Sequence, residues 1–309
     1  MPPLDKDPGE QTFPTATDEF RQRLTKSVLR MPVDGISVQH QVPGLSIYKI
    51  TESSTDFCGV YEPSVCFILN GSKLVSTGGD VIQYAENSYL ITAIGIPMSG
   101  WARSASPTEP YIAMLLRLDL ELVRRLIVDY DTDLAVQPMS SPIIGQATER
   151  LLELLYELIS LDSHSTEFQF MQRHIQTEIF YRLLMTPSGR QLRDFALADT
   201  TSHRITTAVN FIKDNYSSTL SIKQLADLSR MGVSTFHHHF KTLTGMSPGQ
   251  LQKQIRLHQA RTKLLSSERD IASVALSVGY ESQSQFSREF RRLFGQSPSE
   301  VLKRRTTNR

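Results

Sequence analysis

Three consecutive histidines, His237, His238 and His239, stand between Phe236 and Phe240 in the stretch STFHHHFKTLTG. Imidazoles can hold a metal, move protons, or donate and accept hydrogen bonds at the edge of another molecule. On a helix successive residues lie about 100° apart, so these three fan across roughly 200° and cannot converge on one ion. A metal pair on one helix needs a spacing near four, with carboxylates or cysteines to complete the set, and none is close by. Phe236, Phe240 and Leu243 instead fall on one apolar stripe that faces a core. The opposite stripe, Ser234, His237, His238 and Lys241, is polar, mildly basic and rich in donors. It calls for a partner.

The other chemistry-bearing residues lie earlier in the chain. Cys58 and Cys66 are the only cysteines, so no disulfide framework is implied and a reducing cytoplasm fits. Cys66 sits in SVCFILN, where it shares a strand face with Ser64 and Ile68, opposite Val65, Phe67 and Leu69. Its default role is that of a buried structural thiol; the alternative is a pocket thiol that meets an electrophile. Tyr61, Glu62, Tyr84, Tyr89, Trp101 and Arg103 are further candidates to line or rim a pocket, with inside and outside left open until the register is known. The eight histidines, at 40, 164, 174, 203, 237, 238, 239 and 258, all miss the segment 44–118. No metal and no other cofactor is expected there.

The elements that must position these groups divide the chain in two. Residues 201–309 carry 17 Lys and Arg against 7 Asp and Glu, a net of +10, while residues 1–200 carry a net of −9. A basic module on an acidic body points to a polyanionic partner. Residues 1–17 are polar and Pro-rich and read as disordered, and no signal peptide or membrane span is expected. From about 44 to 118, short β-branched and aromatic runs punctuated by Gly, Asn and Pro favour a small barrel. From 119 to about 185 the period becomes helical. Ile144, Ala147, Leu151, Leu154, Leu158 and Leu161 repeat like a coiled-coil seam, and a second helix over about 165–185 presents Phe168, Met171, Ile175, Ile179 and Leu183. We expect these helices to pair between subunits rather than cover the barrel. Residues 18–185 thus form one domain, 186–202 read as a hinged linker with Pro187 and Gly189, and 203–309 form a second domain.

The second domain is an internal repeat. Shifted by 50, FHHHFKTLTGMSPGQ lies on FSREFRRLFGQSPSE, and upstream SIKQLA lies on DIASVA at an offset of 49. Ser221 with Gln224, and Asp270, cap the first helix of each copy; Gly232 and Ser282 cap the second, and Ser282 has Gln285 as its box partner. Gly245 and Gly295 stop those helices, and Ser-Pro opens the next. The result is two helix-turn-helix units, over about 221–244 and 270–294, joined by a helix over about 248–265. That helix is roughly 27 Å long, enough to hold two recognition helices near one DNA turn, about 34 Å, apart. His237 and His238 then project from a recognition helix toward base edges, while His239 flanks the core.

With these residues in view, the chain resembles the AraC/XylS family of bacterial transcription regulators over about 204–305, most closely in IASVALSVGYESQSQFSREFRRLFGQSPSE. The resemblance implies base-facing positions at Ser234, His237 and His238 in the first unit, and at Gln283, Ser284, Gln285, Ser287 and Arg288 in the second. It implies phosphate contacts at Lys241, Arg291 and Arg292. Gly232 departs from the family's common serine, and His238 stands where the second copy has Arg288. VYEPSVCFILNGSKLV is similar to the N-terminal domain of a subgroup of these regulators, a cupin-like barrel that senses a small molecule. That likeness implies an effector pocket within about 45–118 and dimerisation through the following helices. The expected protein is an α+β, two-domain, cytoplasmic homodimer, nucleoid-associated when bound. It binds double-stranded DNA and a small-molecule effector, acts with RNA polymerase, and is no enzyme. The alternative is a cupin-like enzyme with an autoregulatory DNA-binding tail; a basic tail that binds RNA or acidic proteins is a third reading.

Overall fold

The structure, a computed structural model, describes residues 16–32, 37–52, 56–77, 80–103, 105–130, 143–197, 200–266 and 270–307. Helix α1 (Ala16–Leu29) precedes nine strands: β1 (Ser37–Gln39), β2 (Leu45–Ile50), β3 (Asp56–Tyr61), β4 (Ser64–Asn70), β5 (Ser72–Thr77), β6 (Asp80–Ala85), β7 (Ser88–Thr92), β8 (Ile96–Arg103) and β9 (Tyr111–Arg117). Helix α2 (Leu120–Tyr130), strand β10 (Ile143–Gln146) and helices α3 (Glu149–Ile159), α4 (Phe168–Leu184) and α5 (Gly189–Ala196) follow. The strands make two antiparallel sheets, one in the order β1-β2-β9-β4-β7-β10 and the other β3-β8-β5-β6. Val65 and Phe67 from the first and Val75 and Tyr84 from the second belong to one buried cluster. The expected small barrel is therefore present, with β1, β3 and β10 added to the strands read from the sequence.

Three expectations about the helices need correction. Ile144 and Ala147 do not open a helix: residues 143–146 pair with β7 as β10, and α3 begins only at Glu149. The seam does not face another subunit either, because Leu151, Leu154 and Leu158 are fully buried within the chain, where α3 packs on α1 and α4. Ile175, Ile179 and Leu183 of α4 are likewise buried. Residues 189–196, read as part of a hinge, are helix α5, with Leu192 and Phe195 in the core. The disorder read over 1–17 falls on residues outside those described, except Ala16 and Thr17, which start α1.

The C-terminal part is all helical: α6 (Thr201–Asp214), α7 (Ile222–Leu228), α8 (Val233–Thr244), α9 (Pro248–Ser266), α10 (Ile271–Ser277), α11 (Gln283–Phe294) and α12 (Pro298–Thr307). The punctuation of the repeat forms as local chemistry dictates. Ser221 Oγ accepts from Gln224 N–H, Ser282 Oγ from Gln285 N–H, and Asp270 from the N–H groups of Ala272 and Ser273. Ser247 with Gln250, and Ser297 with Glu300, close reciprocal boxes at the starts of α9 and α12. Gly245 and Gly295 end α8 and α11 at φ of 74° and 70°, a conformation that costs an L side chain about 1 kcal/mol.

The two units have separate cores. Leu225, Phe236, Phe240, Leu251 and Ile255 join the apolar cluster that runs through the N-terminal domain. Leu257, Leu264, Val274, Val278, Phe286 and Phe290 form a second cluster. His258 borders the second, edge-on to Phe294 at 5.2 Å. Burial, helped by the Arg261 charge, lowers its pKa to about 4. The folded chain therefore binds fewer protons than the unfolded one between about pH 6.5 and 4. Its stabilising share is complete above that window and lost as the pH falls through it. Acid melts should show the second unit weakening between those values, and His258→Gln should flatten that slope. An unchanged pH profile in the variant would remove the assignment.

Candidate nucleic-acid interface and ligand cavity

Each second helix of the repeat seats its aromatic stripe inward: Phe236 and Phe240 in α8, Phe286 and Phe290 in α11, all four fully buried. That seating turns the opposite face to solvent. Ser234, His237, His238 and Lys241 are exposed and His239 is half-buried; in α11, Gln283, Ser284, Gln285, Arg288, Arg291 and Arg292 are exposed and Ser287 half-buried. Three positive charges and three amide or imidazole-type donors of α11 and α8 thus stand on faces that carry no core residue. Gln285 Nε2 donates to Glu289 at 3.4 Å, and Glu289 also accepts from Tyr280 Oη at 2.8 Å. The Gln285 amide is thereby oriented before any partner arrives.

Helix α9, 19 residues and about 28 Å long, ties the units together through Arg256. Its guanidinium donates to the carbonyls of Tyr216, Ser217 and Ser218 before the first unit, and to Gly279 O in the turn of the second. Sequence reasoning passed over Arg256, because a lone arginine on a basic helix gives no sign of capturing carbonyls from both sides.

A cavity of about 560 Å³ opens between the two sheets of the N-terminal domain. Of the residues expected there, Tyr61, Glu62 and Cys66 line it. Cys66 is 6 % exposed. Tyr84 is buried close to the Cys66 sulfur, and burial raises its pKa well above the ordinary phenol value; its hydroxyl finds no hydrogen-bond partner of good geometry. Trp101 and Arg103 are not among the lining residues: Arg103 bonds Gln83 at the surface. Tyr89 turns to the other side of its sheet and meets Thr186 Oγ1 at 3.0 Å.

The sequence reading missed Lys73, Tyr48, Tyr111 and Arg117, which also line the cavity. Lys73 is 6 % exposed and shares the inner face of β5 with Val75; its cross-strand neighbours are Tyr84 and Ala102. Its Nζ lies 5.0 Å from the Tyr61 ring centroid. Burial lowers its pKa below the usual lysine value. Gly100 leaves room for the pair, since a Cβ there would stand 2.7 Å from Tyr61 Oη and 2.8 Å from Lys73 Cε. At the rim, both Glu62 oxygens accept from Lys213 Nζ on α6, at 2.9 and 2.7 Å. An ion pair thus joins the mouth of the cavity to the C-terminal helices. Among the described residues no three His, Cys, Asp or Glu side chains come together as a metal set, and no helix is long and apolar enough to cross a membrane.

Comparison with known proteins agrees with this division. Residues 41–191 match the AraC-type transcriptional regulator N-terminus, and residues 225–304 match a helix-turn-helix domain. A helix-turn-helix transcriptional regulator of Haemophilus influenzae is 35 % identical over 109 residues, which are 35 % of this chain and 36 % of that protein. The transcriptional activator RhaS of Yersinia pestis is 30 % identical over 105 residues, 34 % of this chain and 38 % of RhaS. The chain therefore spans little more than a third of the length of these curated relatives. In fold, it is similar to ToxT of Vibrio cholerae bound to an unsaturated fatty acid, with a TM-score of 0.57 at 14 % identity over 88 % of this chain and 97 % of ToxT. An apo ToxT variant gives the same TM-score at 13 % identity, covering 88 % and 98 %. With both its barrel domain and its tandem helix-turn-helix units matched, the chain belongs to the AraC family of transcriptional regulators.

Proposed function

We propose that this chain is a sequence-specific, double-stranded-DNA-binding transcription regulator whose barrel domain takes a small-molecule effector. The observation that carries the reading is the matched pair of recognition helices, aromatic side buried and polar side bare, clamped to one connecting helix by Arg256. Ser234, His237 and His238, with Gln283, Ser284, Gln285, Ser287 and Arg288, are the proposed readers of base edges. Lys241, Arg291 and Arg292 are the proposed phosphate contacts. ToxT, with the same fold, is seen with a fatty acid bound, which supports a ligand in the cavity here. The Glu62–Lys213 ion pair supports a route from that cavity to the DNA-binding helices. A ligand switches the protein only by favouring one arrangement of the domains over another.

Further parts of the proposal concern setting. The relatives are regulators, and we assign the cavity binding without turnover. The protein works in the cytoplasm, on the nucleoid when bound, and acts through RNA polymerase. It works as a homodimer: Val128 and Tyr130 on α2 and Tyr181 and Met185 on α4 stay exposed, an apolar surface left over by the chain's own core.

A binding titration with paired duplexes tests the DNA-reading half. Arg288→Ala should lose about 1–3 kcal/mol on the cognate operator and little on random sequence. Lys241→Ala is the control, weakening both alike and reducing the salt slope by about one. Equal loss on both duplexes for Arg288→Ala would return that residue to the phosphates. An effector that fills the cavity and leaves operator affinity unchanged would end the coupled half of the reading.

A further inference from the structure

The cavity's charged lining residues are Glu62, Lys73 and Arg117. Glu62 already gives both oxygens to Lys213. Arg117 is exposed at the rim, while Lys73 is almost wholly enclosed. The other ionisable groups around Lys73 are Cys66 and Tyr48, both weak acids that stay neutral at pH 7. An ammonium withdrawn from water to this extent costs several kcal/mol, and phenols and a thiol recover part of that at most. Such a group is retained where its charge is used.

From this arrangement we infer that the effector is a small monocarboxylic acid with an apolar body, its carboxylate seated on the Lys73 ammonium and its body between the rings of Tyr48, Tyr61 and Tyr111. The inference rests on the cavity being the effector site. Phenol hydroxyls supply further donors to carboxylate oxygens; Tyr84, directly across from Lys73 in the β5–β6 register with its buried hydroxyl unsatisfied, stands ready to reorient toward the new charge. One enclosed ammonium matches one negative charge, so a monoanion fits and a phosphate dianion does not. The aromatic walls and Val60 and Leu115 then take the apolar remainder.

Calorimetric titration of the full-length protein with benzoate and hexanoate, beside benzyl alcohol and hexan-1-ol, tests it. At least one acid should bind ten-fold or more tightly than its alcohol. Lys73→Met and Lys73→Gln should each weaken that acid at least thirty-fold while their ligand-free melting points stay at or above that of the parent, because a buried charge is gone. Arg117→Gln should change affinity less than three-fold. The inference is overturned if neither acid binds, if alcohols bind as well as acids, or if folded Lys73 variants hold the acid as tightly as the parent. Gly59 opens on empty space at its Cβ, so Gly59→Phe serves as a cavity-blocking variant. Alcohols that bind, are blocked by Gly59→Phe and alter operator affinity would leave the effector reading standing without the carboxylate. Acids that bind through Lys73 without altering operator affinity would do the reverse.

Discussion

Phe290→Ala is expected to remove about 3–5 kcal/mol from the second helix-turn-helix unit and to leave the remainder of the chain folded. Phe290 is fully buried, with the Phe286 and Phe294 rings 5.5 and 4.6 Å away. Truncation opens a void that the short helices α10 and α11 cannot close without losing their crossing. The cluster it sits in is its own, and a unit of some fifty residues has little margin to lose. Phe240 occupies the same place in the first unit, but its cluster continues into the N-terminal domain. Calorimetry should therefore give Phe290→Ala two transitions, a small early one and a large one at the parent temperature, with non-specific DNA affinity reduced. Phe240→Ala should instead lower the main transition. One transition that moves as a whole for Phe290→Ala would refute the separate cores.

The contrast between the two halves explains what could be read in advance. Caps, stops and aromatic stripes act over three or four residues, so Ser247, Asp270, Gly245 and Phe286 declare their roles in the sequence, and the repeat supplies each argument twice. The cavity depends on strand register, which is a long-range property. Lys73 reads as a surface residue by type; only its alternation with Val75 hints that it points inward, and the pairing with Tyr84 makes that plain. Trp101 and Arg103 fall on the other parity of β8 from Gly100 and Ala102, which take the inner side beside Lys73. The overlong seam had a warning inside it. Gly145 costs a helix about 1 kcal/mol, and it is glycine because a Cβ would meet the Tyr89 ring at 2.2 Å. Gly189, read as a hinge, is another close approach: a Cβ there would stand 2.2 Å from Leu184 O. Local rules reveal that a glycine is needed, and packing decides for what.

The turn of the second unit provides the other large effect. Gly279 and Arg230 stand at matching places in the two copies, and both take positive φ, 89° and 53°. Arginine is tolerated in the first turn at a cost of about 1 kcal/mol, so the backbone alone does not demand glycine in the second. Crowding does: a Cβ on Gly279 would lie 2.2 Å from Ser217 O and 2.9 Å from the Arg256 guanidinium carbon. Gly279→Ala should accordingly cost roughly 3 kcal/mol, the left-handed backbone and the steric displacement together. Arg230→Gly, by comparison, should be neutral or stabilising by under about 1 kcal/mol. The displaced group is the guanidinium that bonds carbonyls on both sides of α9, so the alanine also loosens the fixed separation of the recognition helices. Footprints should show this as protection kept at one half of the operator and faded at the other, at temperatures where circular dichroism still reports a folded chain. Loss of both halves together, in step with helix content, would mean that the variant merely unfolds and that Arg256 does not set the spacing.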